Sequence, residues 1–347
     1  MKLTKALVAR IALIIGCAAI SATCLFTIAD SADPLARYSK ELTESQKEII
    51  LKYLSDEDID YMVEYQLNPE DLMNFIEVDG FLIKNAKLYS AALATQEADK
   101  KDIVNFVNKY RSHFSRSALK NLLTHYTYLD LVNFYETEQV LNPKLKLVDM
   151  PENPYLILSK NTSVYKYVPQ NLVDINTISV RQEMVEDLTS LINAYESTLN
   201  HKIEFLNGYT SYEKLVDDSR IRIESSPYID HILNPAGSNE EQLGYTIILK
   251  GQDDWLASCI EHVDENDQVD YDASYDALSA KLRDEISWIE DNAYHYGFVI
   301  RYTEDGEAST GLWYQPFVLR YVGKKTAKSM HKSNSVMENT TFSKTLK

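Results

Sequence analysis

The chain has 347 residues, a formal net charge of −17 at pH 7 and a sequence pI near 4.9. So acidic a chain, without basic patches, is a poor nucleic-acid binder, which excludes that class of partner. Its 45% hydrophobic content is enough for a packed core, and its length allows about two domains.

The first thirty residues carry a targeting signal. Lys2, Lys5 and Arg10 precede an uncharged run, 11–28, and Asp30 and Asp33 follow it. The run is long enough for a membrane span, and the basic residues on its N-terminal side place the rest of the chain outside the cytoplasm. The expectation for residues 1–30 is a single-pass anchor in the cell membrane. A cleavable signal peptide, which would make the protein secreted, is the alternative: Thr27 and Ala29 offer small residues at a cleavage site. Its apolar region is normally shorter, roughly 7–15 residues. Cys17 and Cys24 lie inside the run, leaving Cys259 as the one thiol beyond it. That excludes a disulfide within the exported part, and a Cys-Cys metal site with it.

Residues 31–42 read as a tether, and 43–141 as an all-α domain. Ser55-Asp-Glu-Asp-Ile and Asn68-Pro-Glu-Asp-Leu each present a capping residue, acids in the first turn, then apolar residues. Further helices are expected over 101–114 and 117–137. Tyr110, Tyr126, Tyr128 and Tyr135 fall at helical spacing and are expected in the core. Residues 142–154 hold three prolines and no period, which marks a linker between domains.

From 155 to 331 strand and helix signals alternate. Strand-like runs are expected at 155–159, 203–206 and 245–249. A helix is expected over 180–199, with Met184, Leu188, Leu191 and Ile192 on one face. A helix over 284–296 leads into two runs rich in β-branched and aromatic residues, 298–302 and 313–322, joined by a polar, Gly-containing connector. A closing helix over 323–331 and a frayed polar tail over 332–347 complete the chain.

Motifs that would stand alone as a catalytic signature are missing. There is no His-Glu-x-x-His and no Gly-x-Ser-x-Gly. His231, His262 and His295 are scattered, and nothing in their spacing brings them to Glu240 or Glu241. The acidic stretch 264–272 invites comparison with a calcium loop. It puts Val269 where that loop needs Gly and Tyr275 where it needs a bidentate Glu, so it reads as a charged surface loop.

A longer pattern does carry a resemblance. The segments Ala293-Tyr-His-Tyr-Gly-Phe-Val-Ile-Arg-Tyr and Thr310-Gly-Leu-Trp-Tyr-Gln-Pro-Phe-Val-Leu-Arg-Tyr-Val-Gly resemble the end of VanY-type D-alanyl-D-alanine carboxypeptidases. These are zinc peptidases that trim peptidoglycan stems. The resemblance extends over about 155–331. It implies an α+β fold for this domain, a small antiparallel sheet flanked by helices. It also implies a zinc held by three ligands, a carboxylate base and a substrate-holding arginine. At those positions this chain departs from the pattern. Thr210 stands where the arginine is expected. Glu241 and Ile248 replace a ligand His and a ligand Asp. Gln315 replaces the general-base Glu, and Val318 the last ligand His. Ile and Val have no donor atom, and Gln does not take a proton at neutral pH. The neighbouring Gly208, Tyr209, Ser211, Gly244, Pro316, Arg320 and Gly323 are kept.

The resemblance therefore implies a pseudoenzyme at the cell wall with no catalytic residue and no cofactor. Its candidate cleft comprises Tyr209, Thr210, Ser211, Glu241, Ile248, Gln315, Val318 and Arg320. Its partner would be a peptidoglycan stem peptide or a cell-wall protein. The alternative is an active zinc D,D-carboxypeptidase working through non-standard ligands.

Overall fold

A computed structural model describes residues 5–342 and 346, with the side chains of 5–9, 26–32 and 219–225 outside the description. It divides into two compact units, residues 1–124 and 125–347.

The first unit is all helical, as its capping signals predict. It opens with the helix Lys5–Ala32. The expected anchor falls partly outside the described side chains; among the described residues, no helix is long and apolar enough to cross a membrane. Thr43 and Gln46 form a reciprocal capping box at the start of Glu44–Tyr53. Ser55 caps Asp56–Glu64 by accepting from the Asp58 amide. Asn68, its near copy, does not cap: its side chain takes a hydrogen bond from Lys40 Nζ, and Pro69 at the first helical position sets the turn instead. Ile50, Met62 and Leu72 are fully buried in the core these helices share.

The expected helix over 117–137 is two helices. Arg116–His125 stops, and Tyr128–Asn133 starts afresh because Thr127 and Asp130 form a second capping box. The new start belongs to the second unit. Tyr126 Oη donates to the Val164 carbonyl at 3.0 Å, and Phe134 packs against Tyr165. The division thus falls near 124, and 142–154 is no linker. Its residues enter a short parallel pairing of β1 (Lys146–Leu147) with β2 (Thr162–Ser163).

The second unit adds a hairpin of β3 (Leu172–Ile175) and β4 (Ile178–Arg181), then the helix Val185–Leu199, whose Leu188, Leu191 and Tyr195 are buried. The expected strand at 155–159 is irregular, with one bridge from Ser159 to Thr162. The central sheet is antiparallel, in the order β5-β6-β8-β7, from β5 (Phe205–Asn207), β6 (Thr246–Leu249), β7 (Phe298–Tyr302) and β8 (Gln315–Tyr321). Every residue of β6 and β8 is buried. This is why each carries a continuous apolar stretch, 247–249 in β6 and 316–319 in β8, rather than an alternating pattern. The helices Gly251–Glu261 and Ala280–Asn292 pack on β8, and Lys324–Ser333 packs beside β7.

The C-terminal segment is not a frayed tail through its described part. Met337 is buried, Phe342 stacks on Tyr155 at 4.5 Å between ring centres, and Glu338 pairs with the buried Arg301.

Candidate functional site

The candidate cleft is built from the turn before β6, the two central strands and the helix after β6. Ile248 lies directly opposite Val318 in the β6–β8 register, so the two side chains share one face. The tight turn Glu240–Leu243 is capped by Asn239, whose Oδ1 accepts from the Glu241 amide at 2.8 Å. It ends at Gly244 with φ +73°, a left-handed conformation that favours glycine. Arg181 holds the turn from outside by donating to the Leu243 carbonyl at 3.2 Å. Gly208, beside Thr210, has no room for a side chain: a Cβ there would meet the Ser179 carbonyl at 2.6 Å.

These elements bring Glu241, Ile248, Gln315 and Val318 to one cavity of about 30 Å³, which Tyr302 and Gln252 also line. Ile248 and Val318 form an apolar cluster with Tyr302 and Leu312, against which Leu206 packs. Thr210 is buried behind them and donates to Glu241 Oε2 at 2.8 Å. Gln315 Nε2 donates to the Ile232 carbonyl at 2.9 Å, and Gln315 Oε1 accepts from Gln252 Nε2 at 2.9 Å.

This donor set does not fit zinc. A zinc site takes three or four N, S or O ligands. Of the three positions that the resemblance assigns as ligands, only Glu241 has a donor atom, and that carboxylate already accepts from Thr210. Among the described residues, no group of three or more His, Cys, Asp or Glu side chains is arranged to hold a metal ion. The histidines are engaged separately. His231 stacks on Trp313, His262 bonds the Ser258 carbonyl at 2.7 Å, and His295 lies against Tyr294. Asp264 turns inward on its own loop, accepting from the amides of Asn266 and Gln268 at 2.8 and 2.9 Å.

The remaining predicted cleft residues do not line the cavity. Tyr209 donates its amide to the Ser179 carbonyl, and Ser211 Oγ accepts from the Lys214 amide at the start of the helix Tyr212–Ser225. Arg320 is completely buried and engaged elsewhere, donating to the Pro154 carbonyl at 2.8 Å and lying 3.4 Å from Glu240. Its assignment to the cleft is therefore corrected: it is part of a charge cluster in the core.

That cluster was not read from the sequence. Arg301 makes two 2.8 Å hydrogen bonds to Glu240, one to each carboxylate oxygen, and two more to Glu338. Two guanidiniums and two carboxylates balance in charge, as buried ions must. Burial alone would push the Glu240 carboxyl up, but Arg301 and Arg320 outweigh it and hold it below the usual carboxylate range. Burial lowers the Arg320 pKa, while Arg301, against the same burial, is raised through Glu240. The available signal was two arginines inside otherwise apolar strands, which call for buried counter-charges. Adjacent Glu240 and Glu241 thus do separate work, one in the core and one at the cavity.

Residues 177–324 match the family model of VanY, D-alanyl-D-alanine carboxypeptidase. The Bacillus subtilis (strain 168) protein YodJ, a carboxypeptidase by name, is 25% identical over 207 residues, covering 56% of this chain and 69% of its own. A D-alanyl-D-alanine carboxypeptidase of Enterococcus faecium is 47% identical over 51 residues, covering 15% of this chain and only 17% of its own. Among solved structures, the LdcB LD-carboxypeptidase is similar at 25% identity, with a TM-score of 0.42 over 56% of this chain and 88% of that one. VanYB in complex with D-alanine-D-alanine is similar at 17% identity, with a TM-score of 0.40 over 53% and 95%. The second unit of this chain thus carries, at residues 177–324, a domain of the VanY D-alanyl-D-alanine carboxypeptidase family.

Proposed function

We propose that this protein is a non-catalytic member of that family, tethered to the cell membrane by its N-terminal segment, with the bulk of the chain outside the cytoplasm. Its role is binding at the cell wall, with a peptidoglycan stem or a cell-wall protein as partner. One observation carries the reading: the positions where the family would hold a metal and a base are occupied by a mutually packed set. Ile248 faces Val318, Glu241 is held by Thr210, and Gln315 is locked between Gln252 and the Ile232 carbonyl. Removing the general base alone costs about 10²–10⁴ in rate. Apolar and amide side chains also relieve the cost of leaving buried charges unpaired. The membrane tether rests on the basic residues and apolar run of the first thirty positions.

The test is metal analysis of the purified chain, together with D-alanine release from a pentapeptide stem, with and without chelator. Substoichiometric zinc and no chelator-sensitive release are expected. Stoichiometric zinc with chelator-sensitive release would instead establish the second reading, a peptidase using ligands beyond the family's positions.

A further inference from the structure

A groove apart from the cavity around Glu241 opens beside β7, the edge strand of the central sheet. At about 340 Å³ it falls within the size range of small-ligand sites. Its deeper lining is apolar: Ile289, Phe298 and Met330 are buried there, and Tyr294, Val299 and Ile300 are half-buried. Tyr294 is fixed by stacking on His331 at 3.7 Å between ring centres. The described lining of the cavity around Glu241 includes none of these residues. What the groove can hold is therefore a separate matter from whether that cavity binds a metal.

The rim of the groove is acidic. Among the described residues, its lining carries Glu290, Glu304 and Asp305, all exposed, with His331 as the one basic residue. Tyr314 Oη donates to Glu290 at 2.7 Å, and Asn334 Nδ2 donates to Asp305 at 2.9 Å. Both donors are neutral, so they position these carboxylates and leave their charge intact. Glu304 registers the field that results. Its pKa is raised above the ordinary carboxyl value, first by partial burial and then by Asp305, Asp272 and Glu307. Three further carboxylates thus press on one side chain, an arrangement that a cation relieves and an anion worsens.

We infer that this groove docks a lysine side chain of a partner protein. The aliphatic stem covers the apolar lining at Val299 and Ile300, and the ammonium lies among Glu290, Glu304 and Asp305. Long basic side chains divide in this way between apolar surface and a charged rim. A compact ammonium with rotatable donors suits carboxylates on different elements, two of which already accept a hydrogen bond. Complementary charge also speeds the encounter and sets the register of the partner.

The experiment follows the methyl resonances of Ile289, Val299, Ile300 and Met330 in the full-length chain. Two end-capped peptides are titrated in, Ala-Ala-Lys-Ala-Ala and its counterpart with norleucine in place of lysine. The lysine peptide is expected to shift these methyls saturably at millimolar concentration. The norleucine peptide should bind at least about fivefold more weakly, since one exposed ion pair contributes up to about that factor and three acids take part. Glu304→Gln, checked for fold by circular dichroism, weakens the lysine peptide and leaves the norleucine peptide unchanged, and high salt does the same. Equal binding of the two peptides overturns the inference, as does the absence of any shift at these methyls. A second chain, ending at Phe342 and so lacking Lys344 and Lys347, is titrated in parallel and should bind equally. Binding seen only after that truncation would give the groove to the chain's own last lysines and overturn the inference as well.

Discussion

Glu240 shows how much one side chain decides in this domain. It is 1% exposed and answers two buried arginines from neighbouring strands. Removing one partner of such a cluster leaves an uncompensated buried charge, which costs about 3–5 kcal/mol. Glu240→Gln is expected to destabilise the second unit by that amount in denaturant melts, whereas Glu241→Gln should cost far less. The pH dependence has a definite sign. The folded pKa of Glu240 lies below its unfolded value. Its contribution is therefore fully present above the unfolded carboxylate range, near about 4.3, and is lost as pH falls through the folded value. A stability profile from pH 7 to pH 3 should drop steeply in the parent and less in Glu240→Gln. Parallel profiles would show that Glu240 is not the titrating group.

At the scale of elements, capping outweighs periodicity at one break and strand register prepares the site. The apolar pattern over 117–137 is continuous enough to suggest one helix. Thr127 and Asp130 nevertheless satisfy the amides of a new start, with Thr127 Oγ1 accepting from the Asp130 amide at 3.1 Å. Thr127→Ala should cost about 1 kcal/mol and lower the melting temperature by a few degrees. No change would mean that the break is imposed by packing alone. In the sheet, the pairing of Ile248 with Val318 sets opposite each other two positions that the resemblance assigns to metal ligands, although neither side chain has a donor atom. The combined variant Glu241→His, Ile248→Asp, Val318→His is expected to retain about one zinc ion per chain, since three ligands and an open position suffice for a catalytic site. Val318→His alone should retain none. A folded triple variant without zinc would mean that the cleft no longer has the geometry for a metal.

For the whole second unit, the C-terminal segment closes the charge balance. Glu338 supplies the second carboxylate to Arg301, and Met337 and Phe342 cover apolar surface beside it. Truncation after Ser333 leaves the arginine pair with one acid. It is expected to lower the melting temperature by roughly 10 °C, from a loss of about 3–5 kcal/mol. An unchanged melt would reduce the segment to a passive cover.

Much of this was legible in the residues. Val, Ile and aromatic runs identified β7 and β8, the capping signals at Ser55 and Asn68 marked the starts of two helices of the first unit, and motif positions carried the family resemblance with its altered ligand positions. These are properties of short stretches, set by propensity, capping and spacing, so the sequence alone determines them. The pairing of Glu240 with Arg301 and Arg320 and of Arg301 with Glu338, the removal of Arg320 from the cleft, and the unsatisfied acceptor on Gln252 join residues 37 or more positions apart. They depend on strand order, register and burial, which no local pattern encodes, and only the tertiary structure decided them.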